Sequence, residues 1–145
     1  MRLLHSELIG RRIKVDVALE RDLPRTSGDP VQLQQVLLNL LMNAMDAMSA
    51  TAPPQRLITV GTRSSGKGAI EAFISDRGRG IAAEEHGQIF QPFFTTKDHG
   101  LGLGLAICST IVKTHGGKLG VDNNAGGGAT ASFTLPAVAE LASAS

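Results

Sequence analysis

Between Asp29 and Met48 the chain runs through an apolar segment that contains five regularly spaced polar groups and almost no charge, a pattern few structures can accommodate. Gln32, Gln35, Asn39, Asn43 and Asp46 recur at spacings of three and four, which places them above one another on a single face of a helix. Asp29 is a natural N-cap and Pro30 suits the first helical position, so the start is well signalled. Leu33, Val36, Leu37, Leu38, Leu40, Leu41, Ala44, Met45 and Met48 surround the stripe, and most of the circumference is expected to be buried. A solvated face would gather Lys, Glu and Arg. This one offers amides and a single carboxylate, and buried amides cost free energy unless they find partners. The stripe is therefore expected to face a polar cavity, a ligand or an ion.

The remaining pattern organises around that helix. Residues 12–20 alternate through Ile13, Val15, Val17 and Leu19 and read as a half-buried strand. Two further strands, 57–62 and 69–74, flank a turn at 64–68. A short helix is predicted over 82–88 and a longer one over 103–114, ended by Gly116 and Gly117. Strands near 118–121 and 130–135 follow, then Pro136 and a small-residue tail over 137–145 that is expected to fray. Sheet on one side and helices on the other make a two-layer α+β sandwich. At 145 residues this is one domain, with 1–11 as a linker into it.

Composition removes several classes of function. The lone Cys108 excludes a disulfide framework, and its apolar neighbours predict a buried thiol. A net charge of +1 with scattered signs, and the lack of Trp and Tyr, leave no footprint for nucleic acid or for contact with an acidic membrane. No apolar stretch is long enough to span a bilayer and no signal pattern opens the chain, so a soluble, cytoplasmic domain is expected, whether or not its parent is membrane-anchored. The segment from Gly61 to Lys67 imitates a phosphate-binding P-loop, but Gly68 stands where a hydroxyl is needed and a strand follows instead of a helix. His115 is expected to cap the second long helix.

Two loops carry the chemistry. Asp76, Arg77, Gly78, Arg79 and Gly80 follow a strand, where a buried carboxylate can accept from an exocyclic amine and glycines let a planar base lie against backbone. Gly100, Gly102 and Gly104 open the second long helix, whose free N–H groups favour an anion such as phosphate. Together with the amide stripe these ask for one ligand, a nucleotide with its base at Asp76, its phosphates at the glycines and Mg²⁺ at the side-chain oxygen of Asn43. Magnesium keeps waters and substrate oxygens, so one protein amide can suffice.

The order Asn39/Asn43, Asp76/Gly78/Gly80, Phe90/Pro92/Phe93/Phe94, Gly100/Gly102/Gly104, then Gly126 to Thr130 resembles the ATP-binding catalytic domain of sensor histidine kinases. That domain belongs to the superfamily shared with gyrase, the ninety-kilodalton heat-shock chaperones and the mismatch-repair ATPases. The match covers about Gly28 to Pro136, and Pro92 to Lys97 is close to the nitrogen- and oxygen-sensing subgroup. The resemblance implies the Bergerat ATP-binding fold, a mixed, mostly antiparallel sheet under three helices. It also implies ATP and Mg²⁺ as cofactors, with Asn39 and Asn43 as the catalytic amides and Asn43 as the metal ligand. Nucleotide contacts are implied for Asp46, Asp76, Gly78, Gly80, Ile81, Lys97, Gly100, Leu101, Gly102, Leu103, Gly104, Leu105 and Thr130, the last assisting Asp76 at the adenine. Phe90, Phe93 and Phe94 are expected to anchor a short lid by packing. The acceptor histidine is expected on a dimerisation domain of the parent kinase, with a response regulator receiver domain as the onward, indirect partner. His5 lacks the acidic neighbour and following proline of such an acceptor. An ATP-hydrolysing machine would carry a glutamate where this chain has Asn39, and a non-enzymatic nucleotide sensor is the other alternative.

Overall fold

The computed structural model describes residues 8–19, 28–48, 50–64, 68–81 and 104–137. Within them lie five strands and two long helices, β1 (Lys14–Leu19), α1 (Pro30–Ala47), β2 (Leu57–Ser64), β3 (Ala69–Ser75), α2 (Gly104–Thr114), β4 (Lys118–Asn123) and β5 (Ala129–Pro136), besides a helical turn at residues 8–10 and a 3-10 turn at Pro53–Gln55. A single sheet runs in the order β1-β2-β3-β5-β4, with β1 parallel to β2 and every other pair antiparallel. The helix predicted over 82–88 lies outside the described residues.

The start of α1 and the stop of α2 follow from local chemistry. Asp29 Oδ1 accepts from Val31 N at 2.9 Å and Pro30 sits in the first turn, so α1 begins where a cap and a missing donor coincide. At the end of α2, Gly117 N donates to Val112 O and Gly116 N to Lys113 O, both at 2.9 Å, the paired bonds of a Schellman stop. His115 does more than close that end. Its Nδ1 donates to Ile111 O at 2.8 Å while Nε2 accepts from Asp29 N at 3.0 Å, tying the C-terminal end of α2 to the N-terminal end of α1. The two helices therefore run antiparallel.

Strand alternation sends Ile58, Ile74, Phe133 and Leu135 toward the helices, where they meet Val36, Leu40, Leu41, Ala44, Met45 and Met48 of α1 and Cys108 and Val112 of α2. Cys108 is buried, as its neighbours in sequence imply. The opposite face carries polar side chains. There Arg63 pairs with Glu71 and its guanidinium lies 4.5 Å above the Phe73 ring.

Two expectations about burial need correction. β1 is an edge strand, and all six of its residues are exposed, Val17 at 64%. Only Ile13, just before the strand, reaches the core, because α1 packs over the inner strands instead. The apolar surround of α1 is likewise incomplete: Val31 and Leu38 are exposed, as are Gln32 and Gln35 at the N-terminal part of the stripe. Residues 8–13 are docked on the body: Leu8 packs against the core, Arg11 pairs with Asp46 at 2.8 Å, and Arg56 Nη1 donates to Arg11 O at 2.7 Å.

Candidate functional site

The site begins with a carboxylate at the end of a central strand. Asp76 follows β3 and is 7% exposed. Its backbone N donates to Ala129 O at 2.9 Å, which continues the β3/β5 ladder by one more residue. The side chain then substitutes for a backbone carbonyl: Oδ1 accepts from Ala129 N at 3.2 Å and from Gly78 N at 2.8 Å. Both bonds fall on Oδ1, so Oδ2 is left for a donor from outside. Burial raises the carboxyl pKa above its ordinary value, and the two N–H groups from Gly78 and Ala129 oppose that rise.

Close backbone approach explains two of the glycines. A Cβ on Gly78 would stand 2.4 Å from Ala47 O, and Arg79 N donates to that same carbonyl at 3.2 Å. The loop after Asp76 thus seats on the C-terminal end of α1 and satisfies one of its unpaired carbonyls. Gly128, at φ +88, approaches the same loop from β5; a Cβ there would lie 2.1 Å from Asp76 O. Gly78 and Arg79 are thus held against the last turn of α1, and Gly80 and Ile81 against Asn123 at the end of β4.

Along that stripe Asn39, Asn43 and Asp46 are half-buried, in contrast to the exposed glutamines upstream. Asp46 accepts from Arg11 at 2.8 Å. The Asn39 side chain lies beside Cys108 of α2 and partly offsets the upward push that burial exerts on the thiol pKa. Cys108 Sγ also donates to Val36 O at 3.8 Å. Because the helices are antiparallel, one turn back from Cys108 brings the start of α2 at Gly104 level with Asn39 and Asn43. The start of α2 thus lies alongside this part of α1, with its dipole suited to an anion.

The structure does not bring every expected residue together. Thr130 is paired with Ser75 across the sheet, and alternation along β5 turns it to the face opposite Ala129 and the Asp76 carboxylate. Its hydroxyl donates to Asn124 Oδ1 at 2.6 Å and lies 3.0 Å from Ser75 Oγ, so it supports the strand ends rather than standing next to Asp76. Leu105 packs against the core. Lys97, Gly100, Leu101, Gly102 and Leu103, together with Phe90, Phe93 and Phe94, lie outside the described residues.

Sequence reasoning missed Asn123 and Asn124. Asn124 Nδ2 donates to Ser75 Oγ at 3.0 Å and to Asp76 O at 3.2 Å, while Asn123 exchanges two bonds with the main chain of Ile81. The only local signal was an Asn pair ahead of a glycine run, which reads as a turn.

A buried carboxylate at a strand end, half-buried amides on one helix and the start of a second helix alongside suit a nucleotide, and comparison with known proteins specifies the family. The profile of the family described as "Histidine kinase-, DNA gyrase B-, and HSP90-like ATPase" matches residues 28–139, and the chain belongs to this family. Within it, the chain is an ATP-binding catalytic domain of the sensor histidine kinase type. Sensor protein FixL of Bradyrhizobium diazoefficiens is 44% identical over 113 residues, 78% of this chain and 22% of that protein. Sensor histidine kinase ZraS of Klebsiella oxytoca is 38% identical over 136 residues, 94% of this chain and 29% of that protein. The chain therefore spans under a third of the length of these relatives. Among solved structures, the nucleotide-free catalytic domain of histidine kinase ThkA superimposes with a TM-score of 0.81 at 29% identity, covering 94% of this chain and 86% of that one. Full-length ShkA in complex with AMPPNP gives a TM-score of 0.81 at 30% identity, covering 95% of this chain and 28% of that one. ThkA in complex with the response regulator TrrA gives 0.77 at 27% identity, covering 94% and 38%.

Proposed function

We propose that this domain binds Mg·ATP and serves as the phosphoryl donor of a sensor histidine kinase whose acceptor histidine lies on a separate dimerisation domain. The observation that carries the reading is the state of Asp76: buried, with both protein N–H groups on Oδ1 and Oδ2 open to an exocyclic amine. An acceptor in that position suits adenine and opposes guanine, which presents a carbonyl there. The phosphates would lie toward the start of α2, with Gly100, Gly102, Gly104 and Lys97 as their partners. Among the described residues no cluster of three His, Cys, Asp or Glu could hold a metal. Magnesium would instead rest on Asn43 and phosphate oxygens, neutralising charge on the transferring group.

In the reaction the bond from the γ-phosphorus to the β,γ-bridging oxygen breaks, a bond to the acceptor imidazole nitrogen forms, and ADP leaves. This chain supplies positioning and charge neutralisation, which is most of what phosphoryl transfer requires. Asn39 and Asn43 are amides and take no proton from water, so hydrolysis should be slow. ThkA solved with TrrA supports a response regulator as the onward partner of the phosphorylated histidine. The test is labelling with γ-labelled ATP. The domain alone should bind nucleotide, acquire no acid-labile phosphate and release little free phosphate. A matching dimerisation hairpin added in trans should become labelled, slowly, because the tether that raises effective concentration is missing. Acid-labile label on His5, or rapid steady hydrolysis by the isolated domain, would overturn the reading.

A further inference from the structure

Asn123 closes β4, opposite Ala129 in the β4/β5 register. Its carboxamide pairs with Ile81 in both directions: Ile81 N donates to Oδ1 at 2.7 Å and Nδ2 donates to Ile81 O at 2.8 Å. Those two bonds fix the orientation of the amide, since only the oxygen can accept from N–H and only the nitrogen can donate to C=O. Gly80, at φ +74, makes the approach possible; a Cβ there would stand 2.8 Å from Asn123 Oδ1. At the other end of the loop, Asp76 exchanges backbone and side-chain bonds with Ala129. One cross-strand pair, Asn123 and Ala129, therefore grips both ends of the segment from Asp76 to Ile81. The middle is held by Arg79 N on Ala47 O at 3.2 Å.

We infer that Asn123 is a positioning residue for nucleotide recognition: its amide pins Gly80 and Ile81 so that the loop carrying Asp76 is already shaped for the base before the ligand arrives. This rests on the reading that Asp76 accepts from the adenine amine. Preorganisation of this kind acts on affinity by removing an ordering cost at binding. Asn123 is exposed at the end of an outer strand, so its replacement leaves the core intact.

The test uses the full chain with Asn123→Ala and Asn123→Asp. The aspartate keeps an acceptor for Ile81 N but sets a carboxylate oxygen against Ile81 O, so it should not rescue. Loss of two hydrogen bonds that order the loop is expected to lower ATP affinity by about tenfold in both variants. The loss should be the same for ATP and ADP and the same with Mg²⁺ or EDTA, which separates an effect at the base from one at the phosphates. Purine riboside triphosphate, which lacks the 6-amino group, should bind the wild type more weakly and should lose less on substitution. Independently of any ligand, amide exchange of Ile81 should be slow in the wild type and fast in both variants, with the amides of β3 and β5 unchanged. Wild-type ATP affinity in Asn123→Ala, or unaltered Ile81 exchange, would refute the role of Asn123. Equal binding of ATP and purine riboside triphosphate by the wild type would refute the base reading on which it rests.

Discussion

Replacing Asp76 by Asn separates the binding role of this carboxylate from its structural one. The substitution is nearly isosteric, and an Asn Oδ1 can still accept from Gly78 N and Ala129 N, so both internal bonds survive. The Nδ2 group then occupies the place of Oδ2 and turns a donor toward the adenine amine. Loss of a charge-assisted bond of about 1.5–3 kcal/mol corresponds to a fall in ATP affinity of roughly ten- to hundredfold, measured by titration calorimetry. The effect on the empty domain has the opposite sign. Burial raises the Asp76 pKa above 3.8, so the ionised form is penalised in the folded state. A group raised in this way supports the fold fully below its unfolded value and loses that support as pH rises through the folded value. Asp76→Asn should therefore melt at or above the wild-type temperature at pH 7. Its advantage should grow upward from about pH 4 and level off once the wild-type carboxyl is fully ionised. Unchanged ATP affinity would remove Asp76 from the base pocket. A variant that lost affinity and also melted well below the wild type would show that the carboxylate is mainly a structural tie.

Three other changes probe the metal contact, the loop after Asp76 and the core. Asn43→Ala should weaken nucleotide binding far more with Mg²⁺ present than in EDTA; equal losses in both buffers, by calorimetry, would exclude a metal-ligand role. Gly78→Ala places a methyl 2.4 Å from Ala47 O and should cost about 1–3 kcal/mol in chemical denaturation while lowering ATP affinity, because the loop lifts from α1. Met45→Ala, at a side chain only 1% exposed between helix and sheet, should cost about 2–5 kcal/mol of stability, and a loss under 1 kcal/mol would mean that the core closes around the gap.

What the sequence by itself determined is local and periodic. The cap at Asp29, the stop at Gly116 and Gly117, and the strands β2, β3 and β5 are set by residues within a few positions of one another, and all appear where the pattern implies. The candidate site was legible for a related reason: its amides, carboxylate and glycines sit in short motifs whose residue types are unusual for their setting. The tertiary structure decided what depends on neighbours distant in the chain. β1 forms where its alternation implies, but whether its apolar side is covered depends on where α1 lies, and α1 lies over the inner strands, which leaves β1 exposed. Thr130 follows the glycine run as the motif requires, yet its side follows from the register with Ser75, which turns its hydroxyl away from Asp76. Asn123 and Ile81 are 42 residues apart, and His115 and Asp29 are 86 apart. Each of these bonds exists only after β4 has joined the sheet or α2 has packed on α1, because a hydrogen bond needs its partners within about 3 Å and nothing in local sequence sets that distance.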